Sequence, residues 1–104
     1  MKPLSNDTDL VKGIEAWFRE QCDGDWEHSY GLSIETTDNP GWYVEVDLPD
    51  TPWADLVIPF SRDERRAFDW IQFEVCDGKF IGSGGMSNLS EILRRFLSIV
   101  TKEP

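Results

Sequence analysis

The N-terminal part of the chain carries apolar residues at helical spacing. Between Asp7 and Gln21 they recur every three or four positions, at Leu10, Val11, Ile14, Trp17 and Phe18. Such spacing places them on one side of an α-helix. The pattern stops in the acidic stretch from Cys22 to His28. The sequence therefore predicts an amphipathic helix over residues 7–21, followed by a loop that runs to Tyr30.

Two segments that alternate apolar and polar residues come next. In the first, Leu32, Ile34 and Thr36 alternate with polar neighbours, and in the second the apolar positions are Trp42, Val44, Val46 and Leu48. A turn-forming stretch over 38–41, which contains Pro40 and Gly41, separates them. Alternation on both sides of such a turn predicts a β-hairpin.

The next three segments predict further strands of the same sheet. Leu56 to Phe60 is a weaker strand, and Pro59 places it at a sheet edge because proline cannot donate a ladder hydrogen bond. Arg62 to Arg66 is predicted as a charged turn. Trp70 to Cys76 alternates again, and the turn at Asp77 and Gly78 leads to a short strand at Phe80 and Ile81.

A second helix closes the chain. The glycine-rich stretch Gly82–Gly85 interrupts the strand pattern, and Asn88 with Glu91 three residues later resembles a capping box. An apolar stripe follows, at Leu89, Ile92, Leu93, Phe96, Leu97 and Val100. The order predicts an α+β fold: an antiparallel sheet of four to five strands flanked by an N-terminal and a C-terminal helix.

The one-sided patterns also predict how these layers pack. Because each helix has one apolar stripe and each strand one apolar side, both helices are expected on one sheet face of a single domain, 1–104. The other face would then present Glu35, Tyr43, Glu45, Asp47, Trp70, Gln72 and Glu74 to water. The alternative, with one helix on each face, would bury these acids, which is costly unless they are paired.

Charge narrows the class of partner. The chain has 104 residues and a net charge of −10, from twenty acids against ten lysines and arginines. Residues 1–60 hold thirteen acids and three bases, whereas residues 61–104 hold seven of each. Such a field repels nucleic acid and anionic membrane surfaces, and it favours and steers a cationic partner.

The cysteine count and the chain start bear on the compartment. Cys22 and Cys76 are too few for a disulfide framework and lack metal-site spacing. The first residues turn polar at once, unlike a signal peptide, and no apolar run is long enough to span a membrane. The expected location is the cytoplasm, with both thiols reduced.

Candidate chemistry is confined to the Asp23–Tyr30 loop. A calcium loop starting at Asp23 would need glycine at its sixth position, where His28 stands, and glutamate at its twelfth, where Ile34 stands. One histidine is too few for a transition-metal site. His28 could act as a general base beside Ser29 or Cys22, or it could simply hydrogen-bond to its surroundings.

No catalytic signature accompanies these residues. The sequence has no nucleophile motif, and Gly82–Gly85 lacks the lysine of a phosphate-binding loop. We therefore expect no catalytic residues, no metal and no cofactor.

Two motifs carry a resemblance to a known family. The segment from Trp17 to Gly31, and the segment from Glu35 to Trp42 with Val44 to Leu48 after it, combine Trp, Cys, His and Pro-Gly in a fixed order. In these motifs the chain resembles the immunity protein 53 family of bacterial polymorphic toxin systems. The similarity is clearest over residues 10–51 and continues more weakly through 70–74 and 88–93. The segment Pro52–Arg66 shows no motif of the family.

The resemblance implies a protein that binds and neutralises a cognate toxin domain in the cytoplasm and has no catalytic residues. With the charge pattern, it predicts a basic protein toxin as partner, and neither nucleic acid nor membrane. The expected contact residues are Glu35, Tyr43, Glu45, Asp47, Trp70 and Glu74 on the sheet, with Asp25, Trp26 and Glu27 in the loop. Trp26 and His28 either touch the toxin or hold the fold. The alternative function is a small enzyme or ligand-binding protein that uses the Asp23–Tyr30 loop.

Overall fold

The computed structural model describes residues 7–101. Its elements are, in chain order, α1 (Asp7–Gln21), α2 (Trp26–Ser29), β1 (Leu32–Thr37), β2 (Gly41–Asp47), β3 (Ile58–Arg66), β4 (Asp69–Cys76), β5 (Lys79–Gly84) and α3 (Leu89–Val100). The two predicted helices are confirmed. The segment after α1, expected to be a loop, contains the single helical turn of α2.

The five strands form one antiparallel sheet in the order β1-β2-β5-β4-β3. The predicted hairpin of β1 and β2 is confirmed, with Leu32 opposite Val46 and Thr37 opposite Gly41. The last strand, β5, lies between β2 and β4, while β1 and β3 form the two edges. The expected α+β class is therefore confirmed.

One sheet face carries the core. Its strands contribute buried residues such as Val46, Phe80 and Val75, which are neighbours across β2, β5 and β4, and α3 covers them with a buried stripe centred on Phe96. Helix α1 packs against α3 and adds Leu10 and Trp17 to the same core. Both helices thus lie on one side of the sheet, as their apolar stripes predict. We call the opposite side the open face.

The structure corrects the interpretation of residues 56–66. The segment Arg62–Arg66, expected to be a turn, is the second half of β3, and the chain turns at Ala67 and Phe68. Its residues carry charges on both sides because the helices do not cover this edge strand, which therefore has no buried face to mark it. Pro59 does lie on an edge strand, where the register with β4 shifts between Ile58 and Ser61.

The glycine-rich stretch is also strand, not turn. Gly82 and Gly84 belong to β5, and their missing side chains let α3 approach the sheet closely. A Cβ atom at Gly82 would lie 2.8 Å from Cγ2 of Ile92, and one at Gly84 would lie 2.9 Å from the carbonyl oxygen of Trp70. These distances are too short for carbon, so the central strand requires glycine beneath the helix.

We expect Gly82→Ala to lower the free energy of unfolding by about 1–3 kcal/mol, because the added methyl group overpacks the contact with Ile92. The matched control is Gly31→Ala, where a Cβ atom meets nothing within 4 Å. The control should change stability by about 0.5 kcal/mol at most. Urea titration of both variants measures the difference. Equal stability of the two would contradict the proposed helix–strand contact.

Asn88 precedes α3 but does not form the expected capping box. Its side chain makes no cap hydrogen bond. Instead its Nδ2 group donates to Oδ1 of Asp69 at 3.0 Å and to Oε1 of Glu91 at 3.3 Å. Arg65 also donates to both carboxylates, at 2.8 and 2.6 Å. Asn88 and Arg65 therefore tie the start of α3 to the β3–β4 hairpin, which is a tertiary role instead of a local cap.

Candidate partner-binding surface

The six strand residues expected to contact a partner all lie on the open face. The register places Glu35 opposite Tyr43, and it places Glu45 and Glu74 on either side of Ile81. Asp47 and Trp70 extend the same side of β2 and β4. The helices contact only the other face, so the structure brings these residues together on an uncovered surface.

A lysine that the sequence analysis did not single out lies among these acids. The ammonium of Lys79 is 2.9 Å from Oε2 of Glu45 and 2.7 Å from Oδ1 of Asp47. The hydroxyl of Tyr43 donates to Oε1 of Glu45 at 2.8 Å. Lys79 therefore offsets one of the two negative charges, and the four side chains form one connected network.

The protonation equilibria of this network follow from its contacts. Hydrogen bonds from Lys79 and then Tyr43 hold the pKa of the Glu45 carboxyl below its usual value. The bond to Glu45 raises the pKa of Tyr43, and partial burial adds to that rise. The bonds to Asp47 and Glu45 raise the pKa of Lys79. At neutral pH Glu45 is thus a carboxylate, Lys79 an ammonium and Tyr43 a neutral phenol, each held by hydrogen bonds.

Trp70 differs from the expected free aromatic anchor. The guanidinium carbon of Arg62 lies 4.6 Å from the centroid of its ring, which is a cation–π contact. Arg62 also donates to Gln72 and forms a salt bridge of 3.3 Å with Glu64. One face of the indole is therefore covered by a cation, and the ring is half-buried.

Two carboxylates of the open face keep an uncompensated charge. Glu35 and Glu74 form no salt bridge with any lysine or arginine in the part of the chain that the structure describes. Counting all five strands, the face carries the carboxylates of Glu35, Glu45, Asp47, Glu64 and Glu74 against the cations Arg62 and Lys79. Five against two leaves a local charge of −3.

A second group of acids gathers where β2 and β4 end. It comprises Asp23, Asp25 and Glu27 around α2, Asp50 and Asp55 in the loop before β3, and Asp77 in the β4–β5 turn. Two hydrogen bonds join these loops: Leu48 N–H donates to the carbonyl of Gly78 at 2.8 Å, and Trp26 Nε1–H to that of Pro49 at 2.9 Å. Within residues 7–101 none of the six acids forms a salt bridge. We call this group the acidic end.

The sequence analysis missed Asp50, Asp55 and Asp77 as parts of this surface. Asp50 and Asp77 have positive φ angles of 61° and 53°, a conformation that aspartate tolerates better than most residues. The sequence feature that indicates the position of Asp77 is the turn that it forms with Gly78. Asp50 has a comparable signal, because it follows Pro49 directly after the apolar alternation of β2 ends.

In the Asp23–Tyr30 loop, the carboxylates of Asp23 and Glu27 accept hydrogen bonds from backbone N–H groups of the loop itself. The carboxylate of Asp23 accepts the N–H groups of Asp25 and Trp26 at 2.9 and 3.0 Å, which lowers its pKa. Glu27 accepts those of Asp23 and Gly24 at 3.0 and 2.9 Å. These bonds close the turn that starts α2.

Trp26 is the main correction within the predicted contact set. Its side chain is only 3% exposed and packs against Trp17 and Tyr30. Its ring therefore supports the fold and does not reach the surface. Asp25 is exposed, and Glu27 is half-buried beside the backbone it binds.

The loop does not assemble the groups that the enzyme alternative requires. His28 is exposed and makes no hydrogen bond through its side chain within the described residues. Desolvation, with the charges of Glu27 and Asp23, raises the pKa of the Cys22 thiol, which lowers the fraction of reactive thiolate. Residues 7–101 also contain no group of three or more His, Cys, Asp or Glu placed to hold a metal ion.

Comparison with known proteins adds one finding. A family model described as immunity protein 53 matches residues 11–101, a range that includes all five strands and α3. No curated protein and no solved structure matches the chain. None of the helices in the described region is long and apolar enough to cross a membrane.

Proposed function

Because the chain belongs to the immunity protein 53 family, we propose that it binds a cognate protein toxin in the cytoplasm and neutralises it by covering the toxin's functional surface. Family membership favours a binding protein over an enzyme. The observation that supports this mode of action is the open face, an uncovered sheet surface with a local charge of −3.

Charge gives this surface a preference among partners. The six carboxylates of the acidic end lie beside the open face and carry no counter-charge from the described residues. Together the two regions attract a basic surface and repel an acidic one, which raises the association rate and excludes wrong partners. A toxin that acts on nucleic acid fits this preference, because its substrate groove must be positive.

The hydrogen-bonded network makes the face suited to tight binding. Tyr43, Glu45, Asp47 and Lys79 are already held in fixed positions before a partner arrives. Binding therefore costs less side-chain conformational entropy than it would for mobile surface residues. Tyr43 is half-buried at one end of the network, where it bonds to Glu45, and tyrosine is among the residues that contribute most to interfaces.

The decisive experiment uses the toxin domain encoded by the reading frame next to that of this protein. We expect co-production of the two proteins to restore growth of cells that the toxin domain alone arrests, and the purified pair to form a stable complex. A toxin domain that stays fully active in the presence of excess folded protein would overturn the proposal.

The same assay separates binding from catalysis. His28→Ala and Cys22→Ala remove the only histidine and the cysteine beside it. Both variants should protect cells as well as the unmodified protein does. Loss of protection by a folded variant that still binds the toxin would support the alternative of an enzyme that uses the Asp23–Tyr30 loop.

A further inference from the structure

The edge strand β3 is the most exposed regular element of the sheet. It spans nine residues, Ile58–Arg66, and eight of them are exposed. It pairs with β4 on one side only, so its outer backbone groups have no partner strand among residues 7–101. At about 3.3 Å per residue this edge is roughly 30 Å long, enough to accept a full additional strand.

Exposed apolar side chains accompany this edge. Val57 is 68% exposed, Phe60 54% and Phe68 62%, and they are the three most exposed large hydrophobic residues of the described chain. One precedes β3, one lies in it, and one stands in the turn after it. Large apolar side chains along an unpaired strand are typical of a site that another chain covers.

Two of the five charged side chains of β3, Arg62 and Arg65, are engaged by other residues of the chain. Arg65 is held toward its own sheet and helix by Asp69 at 2.8 Å and Glu91 at 2.6 Å. Arg62 lies over the ring of Trp70. Because these arginines are engaged within the chain, they do not project from the edge to repel an incoming strand.

A second copy of this chain does not fit the edge well. A symmetric antiparallel pairing of two β3 strands in one sheet places one residue opposite its own copy. For centres at residues 62 to 66 that pair is always two like charges, which destabilises it. Centres nearer the start of the strand leave few pairs and include Pro59, which has no N–H group.

We infer that the free edge of β3 binds an extended segment of the toxin, which adds to the sheet as a sixth strand. Main-chain hydrogen bonds would provide the affinity, and contacts with the exposed side chains of Phe60 and Phe68 the selectivity. This inference rests on the proposed function and extends it. The added strand would continue the open face, since Arg62 and Glu64 of β3 lie beside Gln72 and Trp70 on that side.

Hydrogen–deuterium exchange of the protein with the adjacently encoded toxin domain tests the inference. In the complex, the outward-pointing amides of residues 58–66, which do not bond to β4, should exchange at least about tenfold more slowly than in the free protein, since new ladder bonds protect them. Amides of β1, at the opposite edge, are the internal reference. Binding that leaves the exchange of β3 unchanged would overturn the inference while the proposed function stands.

A matched pair of variants provides a second, independent measurement. Phe60→Asp should weaken the complex by about tenfold or more, whereas Val11→Asp on α1, at 51% exposure, should change affinity less than about twofold. Equal affinities of the two variants would overturn the inference. A protein that forms dimers through β3 on its own would also overturn it. A toxin domain that does not bind at all would overturn the proposed function and the inference together.

Discussion

Replacing Phe96 with alanine is expected to lower the free energy of unfolding by about 3–5 kcal/mol, the largest loss of stability we predict for a single substitution in this protein. Phe96 is 1% exposed and joins three elements. Its ring lies 5.0 Å from that of Trp17 in α1 and 5.2 Å from that of Phe80 in β5, both in edge-to-face geometry. The cavity would therefore open where α1, α3 and the sheet meet.

The control is Phe60→Ala, which removes the same atoms from an exposed position. It should change stability by about 0.5 kcal/mol at most. Chemical denaturation with matched slopes measures both values, and a small domain of ordinary stability would be largely unfolded by the Phe96 change at elevated temperature. A loss below about 1.5 kcal/mol for Phe96→Ala would mean that neighbouring rings refill the space.

Trp42 is a weaker support of the core than its position in the pattern indicates. It lies on the helix side of β2, but it is half-buried, and its Nε1–H donates to the carbonyl of Met86 at 2.9 Å. Its replacement should therefore cost less than that of Phe96. Tyr43 on the opposite side is also half-buried, so the two sides of this strand differ less in burial than strict alternation predicts.

The spacing of apolar residues was sufficient to predict most of the fold, because an element that buries one side has apolar residues at regular intervals. Helices α1 and α3 and strand β2 each bury one side, and each was predicted with nearly correct bounds. Strand β3 buries neither side, so its sequence retains no alternation and resembles a turn. Gly82 and Gly84 were not predicted as strand residues for a related reason. Glycine favours turns in general, but here its missing side chain makes room for Ile92 and Asn88.

The site was harder to predict because its charges meet across strands. The alternation in β2 showed that Glu45 and Asp47 share a side. It did not show that Lys79, 34 residues after Glu45, would lie between them. The acidic end likewise gathers loops that are distant in sequence, joined by the bonds from Trp26 to Pro49 and from Leu48 to Gly78. The order in which the strands pair determines these contacts. The local pattern of apolar and polar residues gives little information about that order.

This network determines which acids are suitable for testing the proposed surface. Reversing Glu45 and Asp47 would leave Lys79 among positive charges, and Asp47 also accepts the N–H of Gly31 at 3.0 Å. A loss of binding by that variant would then reflect damage to the fold. Glu35 and Glu74 form no salt bridge within residues 7–101 and lie on the same face.

Reversing both of these glutamates is expected to slow association with the toxin by about tenfold or more at low ionic strength. The change removes two negative charges and adds two positive ones, so the open face goes from −3 to +1 and no longer attracts a basic surface. The dissociation rate should change less, because exposed charges act mainly on encounter. Stopped-flow or surface-based kinetics of Glu35→Lys with Glu74→Lys measure both rates.

The matched control reverses Glu15 and Glu20 on α1, which changes the net charge by the same amount on the other side of the molecule. The salt bridge of Glu15 with Lys12, at 3.6 Å, is exposed and contributes little stability. If the open face steers the toxin, the control associates nearly as fast as the unmodified protein at low salt. The gap should narrow as salt rises, since the Debye length falls from about 10 Å at 0.1 M to about 3 Å at 1 M. If association slowed equally for both variants, total charge would govern encounter. That result would contradict the open face as the contact surface.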